Sequence, residues 1–136
     1  MTAAVIADTG PLYALADTSD QYHRQAQEDL QTISEESRSV VVSYPVLCES
    51  YTLIVRRLGG SYARQWLDEI FESAVLVNPQ PSDYVAAASL LNRYPDHPIT
   101  LPDAVTAILG RRLHLHVWSF DRHFAIMGSK EWRKRR

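Results

Sequence analysis

Four short runs of apolar residues, most of them β-branched or aliphatic, recur along the chain, and a polar residue or a turn-forming residue follows each one. They occupy residues 3–7, 40–42, 74–77 and 115–118. The first run is unbroken, which is typical of a strand that is buried on both faces, as in a parallel sheet, and the second repeats this pattern. The hydrophobic pattern therefore predicts four strands.

The segments between these runs show helical spacing of apolar residues or are rich in alanine. They predict helices over about 12–16, 21–36, 45–58, 61–71, 82–93 and 100–112, and a short helix near 122. We expect Ser19 or Asp20 to cap the second helix. Strands that alternate with helices favour right-handed βαβ units. We therefore expect an α/β fold, in which a mostly parallel sheet of about four strands has helices on both sides.

Length and composition limit this fold to one domain. The 136 residues are enough to bury a sizeable core but too few for two domains, and 46% hydrophobic residues with a net charge of −2 describe a globular protein whose overall charge indicates no partner. We place the domain at residues 1–129 and a basic tail at 130–136, which holds five Lys and Arg residues. The tail is either a solvated end or a segment that attracts phosphate.

The cysteine content and the N-terminal residues of the chain give an expectation for its cellular compartment. Cys48 is the only cysteine, which excludes an intramolecular disulfide and favours a reducing environment. The N-terminus has no basic leader segment, and no apolar run approaches the length of a membrane span. We expect a cytoplasmic protein with no membrane partner.

Four carboxylates occupy positions that suggest chemistry. Asp8 directly follows the first strand, and Asp121 follows the fourth. Glu49 is the only charged residue between positions 46 and 55, so we expect it to be partly buried and to need a compensating partner. Asp103 falls in the first turn of a predicted helix. Taken singly, Asp8, Asp103 and Asp121 could also be ordinary turn or cap residues.

Taken together, these positions belong at the edge of the sheet where the strands end, which is where ligands bind in open α/β folds. Carboxylates that are crowded there would raise one another's pKa unless cations neutralise them. Hard oxygen ligands suit Mg²⁺ or Mn²⁺. One or two such ions could activate a water and stabilise the leaving oxygen of a phosphodiester.

The same residues lie in segments that resemble the PIN-domain family, and within it the compact VapC-type toxins of bacterial and archaeal toxin–antitoxin pairs. The matching segments are, in order, IADTGPL at 6–12, PVLCE at 45–49, LPDA at 101–104 and VWSFDRHF at 117–124. They correspond to the family's first Asp, its Glu, its third acidic residue and its final Asp with a hydroxyl residue two positions earlier. The hydroxyl residue here is Ser119 in place of the commoner Thr.

The resemblance implies a metal-dependent endoribonuclease that acts on RNA, forms a homodimer and is inhibited by a small antitoxin protein. It further implies that one or two Mg²⁺ or Mn²⁺ ions are held, directly or through water, by the catalytic residues Asp8, Glu49, Asp103 and Asp121. Asp8 and either Glu49 or Asp103 rank ahead of Asp121 as direct ligands. Thr9 and Ser119 would hold a water or a carboxylate beside the metal.

Basic and aromatic residues supply weaker candidates for contacts to RNA. Arg122 or His123, which directly follow Asp121, could reach a scissile phosphate or pair with an acidic neighbour. The aromatic side chains that could stack on bases are also candidates for core packing, which is the commoner use of such residues; they are Tyr13, Tyr44 and Trp118.

Three other interpretations remain at this stage. Asp8-Thr9-Gly10 is also the active-site triplet of aspartic proteases, which would act here as a dimer, but those enzymes are nearly all β and this chain has strong helical patterns and only five glycines. A PIN nuclease that is not a toxin is the second. The third is a PIN module that binds RNA or protein without cleavage, and the complete acidic set argues against it.

Overall fold

The computed structural model describes residues 4–134. Within that range, strands and helices alternate along the chain in this order: β1 (Ala4–Ala7), α1 (Thr9–Ala16), α2 (His23–Glu35), β2 (Ser39–Ser43), α3 (Tyr44–Leu58), α4 (Gly60–Ser73), β3 (Val75–Val77), α5 (Pro81–Asn92), α6 (Leu101–Leu113), β4 (His116–Trp118) and α7 (His123–Ile126).

The four strands form one sheet in the order β3-β2-β1-β4, and every neighbouring pair is parallel. The central strand β1 pairs with β2 through Val5 and Val40, and with β4 through Ile6 and Val117. All four strands therefore end at one edge of the sheet. The predicted α/β fold with a parallel four-stranded sheet is confirmed.

Successive residues of β1 face opposite sides of the sheet, and each side has its own apolar core. Val5 and Ala7 pack in one cluster with residues of α3 and α4, such as Ile54 and Trp66. Ile6 packs in the other cluster with residues of α6 and α7. Each fully buried aliphatic side chain contributes about 1.5–3 kcal/mol. This is why β1 has a continuous apolar sequence, whereas the edge strand β3 begins with the exposed Val75.

The start of α2 differs from the prediction that Ser19 or Asp20 caps it. The helix begins at His23, after Tyr22, whose backbone N–H donates to Asp20 Oδ2 at 2.9 Å. One turn earlier, Asp17 Oδ1 accepts from the backbone N–H of Ser19 at 3.0 Å. These carboxylates form Asx turns in the loop before the helix, which is the competing local use of Asp side chains.

The first residues of the predicted basic tail pack on the domain. The Val117 N–H donates to the Lys130 carbonyl, and the Trp132 N–H donates to the Val117 carbonyl, both at 2.8 Å. The Trp132 side chain is buried, and its Nε1–H donates to Glu36 Oε1 at 3.0 Å. Arg135 and Arg136 lie outside the described residues. Of the helices between residues 4 and 134, none has the length and apolar character that a membrane span requires.

Candidate active site

Asp8 lies where β1 ends and α1 begins, at the centre of the sheet edge. Its backbone N–H donates to the Trp118 carbonyl at 3.0 Å, which continues the ladder between β1 and β4. The side chain is only 5% exposed. Its Oδ2 accepts a hydrogen bond from Ser119 Oγ at 3.0 Å, whereas its buried Oδ1 has no hydrogen-bond partner among residues 4–134. A buried carboxylate oxygen without a partner is costly, which indicates that a ligand normally satisfies it.

Ser119 joins Asp8 to Asp121. Its hydroxyl donates to Asp8 and accepts from the backbone N–H of Asp121 at 2.9 Å. Asp121 Oδ1 in turn accepts from the backbone N–H of His123 at 2.9 Å and lies 2.7 Å from His123 Nδ1. His123 therefore pairs with an acidic neighbour, one of the two roles considered for it, and Arg122 is exposed beside it.

Glu49 projects from α3, which follows β2, and it is half-buried as expected. Its Oε1 accepts a hydrogen bond from Thr9 Oγ1 at 2.5 Å, a short contact of the kind that a charged acceptor favours. The Thr9 hydroxyl is thus the compensating partner that the apolar neighbours of Glu49 predict. Both residues predicted to support the carboxylates, Thr9 and Ser119, contact one of them.

Asp103 is held at the start of α6 by a capping box. Thr100 Oγ1 accepts from the Asp103 N–H at 3.3 Å, and Asp103 Oδ2 accepts from the Thr100 N–H at 3.1 Å. Asp103 is therefore both a helix-capping residue and a member of the acidic cluster. The capping box fixes the direction of a carboxylate whose charge is felt by Asp8.

The electrostatics link all four carboxylates. Burial, followed by the charge of Asp103, raises the pKa of Asp8 to about 7, and Asp121 adds to the rise. The nearby Thr9 backbone N–H and the hydrogen bond from the Ser119 hydroxyl oppose this shift. Burial also raises the pKa of Asp103, and the charges of Asp121 and Glu49 add to it. Without a cation, the cluster therefore resists full ionisation.

The donor set fits a partly hydrated divalent cation. Within residues 4–134, no group of three or more His, Cys, Asp or Glu side chains is drawn together closely enough to form a complete metal site. Mg²⁺, however, keeps several waters and is usually bound through only one or two carboxylates. The unpartnered Asp8 Oδ1 and the raised pKa values of Asp8 and Asp103 are what such an ion would relieve.

An open groove runs past these residues. One part of it, about 310 Å³ in volume, is lined by Asp8 and Asp121 together with Tyr22 and Phe120. A second part of about 490 Å³ is lined by Glu49, Cys48 and Arg56, among others. Thr9 and Leu53 line both parts.

Sequence reasoning identified the acidic residues and one aromatic residue of the groove, Tyr13, but missed the pair Tyr22 and Phe120. Tyr13 and Trp118, considered for base stacking, are buried, whereas Tyr44 is exposed. Tyr22 and Phe120 were not considered. Phe120 stands between Ser119 and Asp121 in the sequence, which is the signal that could have indicated it.

Comparison with known proteins identifies the fold. No protein-family model and no curated protein matches the sequence. Among solved structures, VapC20 of Mycobacterium tuberculosis, a toxin that cleaves the sarcin–ricin loop, superposes with a TM-score of 0.84 at 22% identity, covering 96% of this chain and 100% of that chain.

Two further structures share the architecture. VapBC2 of Rickettsia felis, bound to a DNA fragment from its promoter, gives a TM-score of 0.74 at 10% identity, covering 94% of this chain and 96% of that chain. A protein from Pyrobaculum aerophilum gives a TM-score of 0.59 at 17% identity, covering 93% of this chain and 86% of that chain. The predicted single PIN-like domain is thereby confirmed, and the all-β architecture that an aspartic protease requires is excluded.

Proposed function

We propose that this chain is a metal-dependent endoribonuclease of the VapC type and the toxin of a toxin–antitoxin pair. The observation that carries the proposal is the buried Asp8, whose Oδ1 has no partner within residues 4–134 and whose pKa is raised by burial and by the nearby charges of Asp103 and Asp121. The similarity of fold to a toxin that cleaves the sarcin–ricin loop supports RNA as the substrate. The similarity to VapBC2 supports an antitoxin as the partner.

The catalytic roles follow from the contacts. Asp8, Glu49, Asp103 and Asp121 would hold one or two Mg²⁺ or Mn²⁺ ions. When bound, such an ion supplies charge stabilisation at the phosphodiester and a water of lowered pKa. The chain's own contribution is to orient the ligands. Ser119 fixes Asp8 and the backbone at Asp121, and Thr9 fixes Glu49.

The remaining parts of the proposal concern partners. Arg122 is exposed next to Asp121 and is suited to contact a phosphate of the RNA, since guanidinium groups bind phosphate oxygens in a bidentate manner. His123 keeps its place by pairing with Asp121. We further propose that the chain acts in the cytoplasm as a homodimer, and that an antitoxin covers the acidic groove.

A cleavage assay tests the proposal. Purified chain, free of antitoxin, should cut single-stranded RNA in Mg²⁺ or Mn²⁺, lose activity in chelator and regain it when the ion is restored. Asp8→Asn should reduce cleavage by at least about a hundredfold, because the central ligand loses its charge. Asp68→Asn, the same change at an exposed position on α4, should leave cleavage unchanged.

The outcomes separate the alternatives. RNA binding without cleavage in either ion would indicate the silent PIN module. Metal-dependent cleavage without growth arrest on expression would indicate a nuclease that is not a toxin. Cleavage by Asp8→Asn at the rate of the parent protein would overturn the assignment of the site.

A further inference from the structure

Two aromatic rings stack on each other at the rim of the acidic groove. The ring centroids of Tyr22 and Phe120 are 4.9 Å apart, and the ring planes differ by 26°. Both side chains line the same part of the groove as Asp8 and Asp121. The proposed metal chemistry uses neither ring.

Phe120 is fixed close to the catalytic residues. It lies between Ser119, which holds Asp8, and Asp121, and it packs near the first turn of α1, where a side-chain carbon added to Gly10 would lie 3.9 Å from Phe120 Cδ2. The ring position is therefore tied to the positions of the carboxylates. A group that stacks on this aromatic pair would therefore lie at a fixed distance from the acidic residues.

Tyr22 has a hydrogen-bonded backbone and an exposed ring. Its backbone N–H donates to Asp20 Oδ2, and the preceding turn is fixed by bonds from Ser19 to Asp17 Oδ1, at 3.0 Å from the backbone N and 2.7 Å from Oγ. One face of the Tyr22 ring is covered by Phe120, but the residue is still 40% exposed. A packing role alone explains the covered face and leaves the exposed part of the ring unexplained.

The charge of the groove favours an uncharged contact at this place. The carboxylates of Asp8, Glu49 and Asp121, which line the groove, repel the phosphates of a nucleic acid wherever a cation does not intervene. Base–aromatic stacking holds a nucleotide without any contact to its phosphate, and it is the usual way in which unpaired bases are bound. A preorganised aromatic ring also loses little conformational freedom on binding.

We propose that Tyr22, supported by Phe120, stacks on an unpaired nucleobase next to the scissile phosphate and so positions the RNA strand over the acidic site. The inference rests on the proposed ribonuclease function and adds a subsite to it. It assigns to the chain a preference for unpaired over paired nucleotides at the position next to the cut.

Binding is measured apart from cleavage, with Asp8→Asn protein and short single-stranded RNA in Mg²⁺. Into this background we introduce Tyr22→Leu, which keeps an apolar contact to Phe120, and Tyr22→Phe, which keeps the aromatic ring. Stacking predicts that Tyr22→Leu weakens RNA binding by about tenfold or more, whereas Tyr22→Phe stays within about twofold. Tyr84→Leu is the matched control, because Tyr84 is similarly exposed, at 38%, and does not line the groove.

A second measurement needs no variant at Tyr22. A fluorescent adenine analogue, 2-aminopurine, is moved one position at a time along the RNA, and stacking should quench it at one position next to the mapped cut. Unfolding curves of each variant show whether a loss of binding merely reflects a loss of fold.

The outcomes distinguish this inference from the proposed function. If the parent protein cleaves RNA but Tyr22→Leu in the Asp8→Asn protein binds RNA as tightly as Asp8→Asn alone, the stacking role is overturned, the pair is a packing or protein contact, and the nuclease stands. If Tyr22→Phe is as weak as Tyr22→Leu, the hydroxyl rather than the ring makes the contact, which also overturns stacking. If the parent protein cleaves no RNA, the proposed function itself fails.

Discussion

Asp8 lies in an environment that disfavours its own charge, and this is the main physical feature of the site at the residue scale. It is buried and near other carboxylates, and it has one hydrogen bond to a side chain, that of Ser119. Between about pH 4 and pH 7, the cation-free protein therefore holds a proton that the unfolded chain would release. Stability and ligand binding should both report on that proton.

The first prediction concerns pH. Because the folded pKa of Asp8, about 7, lies above its ordinary 3.8, the folded state binds more protons in between. The contribution of Asp8 to stability is therefore greatest below about pH 4, falls as the pH rises towards 7 and then levels off. The rise in the pKa of Asp8 corresponds to about 4 kcal/mol in the free energy of unfolding. In chelator, Asp8→Asn should exceed the parent protein in free energy of unfolding by up to that amount at pH 8, and the difference should shrink towards pH 4.

Denaturant unfolding of both proteins at several pH values measures the difference. Titrating groups that do not interact with Asp8 cancel in this comparison, including Asp83, whose pKa is lowered mainly by its hydrogen bonds with Arg112. Asp68→Asn provides the control at an exposed position and should change little with pH. A pH-independent difference between Asp8→Asn and the parent protein would contradict the prediction.

The second prediction concerns the Ser119 hydroxyl. It is fully buried and connects two carboxylate-bearing positions, since it donates to Asp8 and accepts from the Asp121 N–H. Removing a group that orients metal ligands typically costs ten- to a hundredfold in metal affinity or activity. Ser119→Ala should lower kcat/KM for RNA by that factor and raise the Mg²⁺ concentration needed for half-maximal cleavage.

Ser119→Thr keeps the hydroxyl and supplies the control. It should retain most of the activity of the parent protein, and thermal unfolding shows whether the added methyl group disturbs the packing. If Ser119→Ala and Ser119→Thr lose the same activity and both keep the stability of the parent protein, the hydroxyl does not determine the activity.

At the scale of elements, the sequence predicts what depends on continuous apolar runs and on local caps. β1 reads as a strand because both of its faces are buried, and the capping box at Asp103 is visible in the spacing Thr-x-x-Asp. The predicted cap of α2 was wrong, because Asp17 and Asp20 take part in turns within the preceding loop. That competition is decided by backbone geometry, which composition does not reveal.

The end of the chain shows a second limit. Residues 130–136 read as a tail because of their charge, and a single tryptophan among basic residues creates no periodic pattern. In the structure, Trp132 packs edge-on against Trp118 with ring centroids 6.5 Å apart, next to the strand that leads to the site. Long-range contacts of this kind depend on the assembled sheet and cannot be inferred from neighbouring residues.

The third prediction follows from this contact and concerns two truncations. Ending the chain after Ser129 removes Trp132 and both backbone hydrogen bonds that segment 130–132 makes with Val117. We expect a loss of about 3–5 kcal/mol in the free energy of unfolding, as for deletion of a large buried aromatic side chain. Cleavage should fall too, since β4 positions Ser119 and Asp121. Ending the chain after Trp132 should preserve stability, and equal stability of the two truncated proteins would contradict the prediction.

At the scale of the whole molecule, the parallel sheet assembles the site from segments that are far apart in sequence. Asp8 and Asp121 follow β1 and β4, which are paired neighbours, whereas Glu49 and Asp103 arrive on α3 and α6. The carboxylate positions were predictable because all strands end at one edge. The aromatic rim was not, since it requires the loop before α2 to fold back beside Phe120.

The fourth prediction couples this assembly to the ion. Since folding brings the carboxylates together, a divalent cation that binds only the folded state stabilises it by RT ln(1 + [ion]/Kd), or about 2.7 kcal/mol at a hundredfold excess over Kd. Saturating Mg²⁺ or Mn²⁺ should thus raise Tm by several degrees. The rise should be larger at pH 8 than at pH 6, because the ion competes with the proton on Asp8, whose pKa is about 7.

Thermal unfolding with and without the ion, at equal ionic strength adjusted with sodium chloride, measures the effect. Asp8→Asn should lose most of the rise, whereas Asp68→Asn, on the exposed face of α4, should keep it. If sodium chloride reproduces the rise, the effect is screening of the acidic surface. If Asp8→Asn shows the same rise as the parent protein, the ion binds elsewhere, and the raised pKa of Asp8 must then be a property of burial that the protein tolerates without using it.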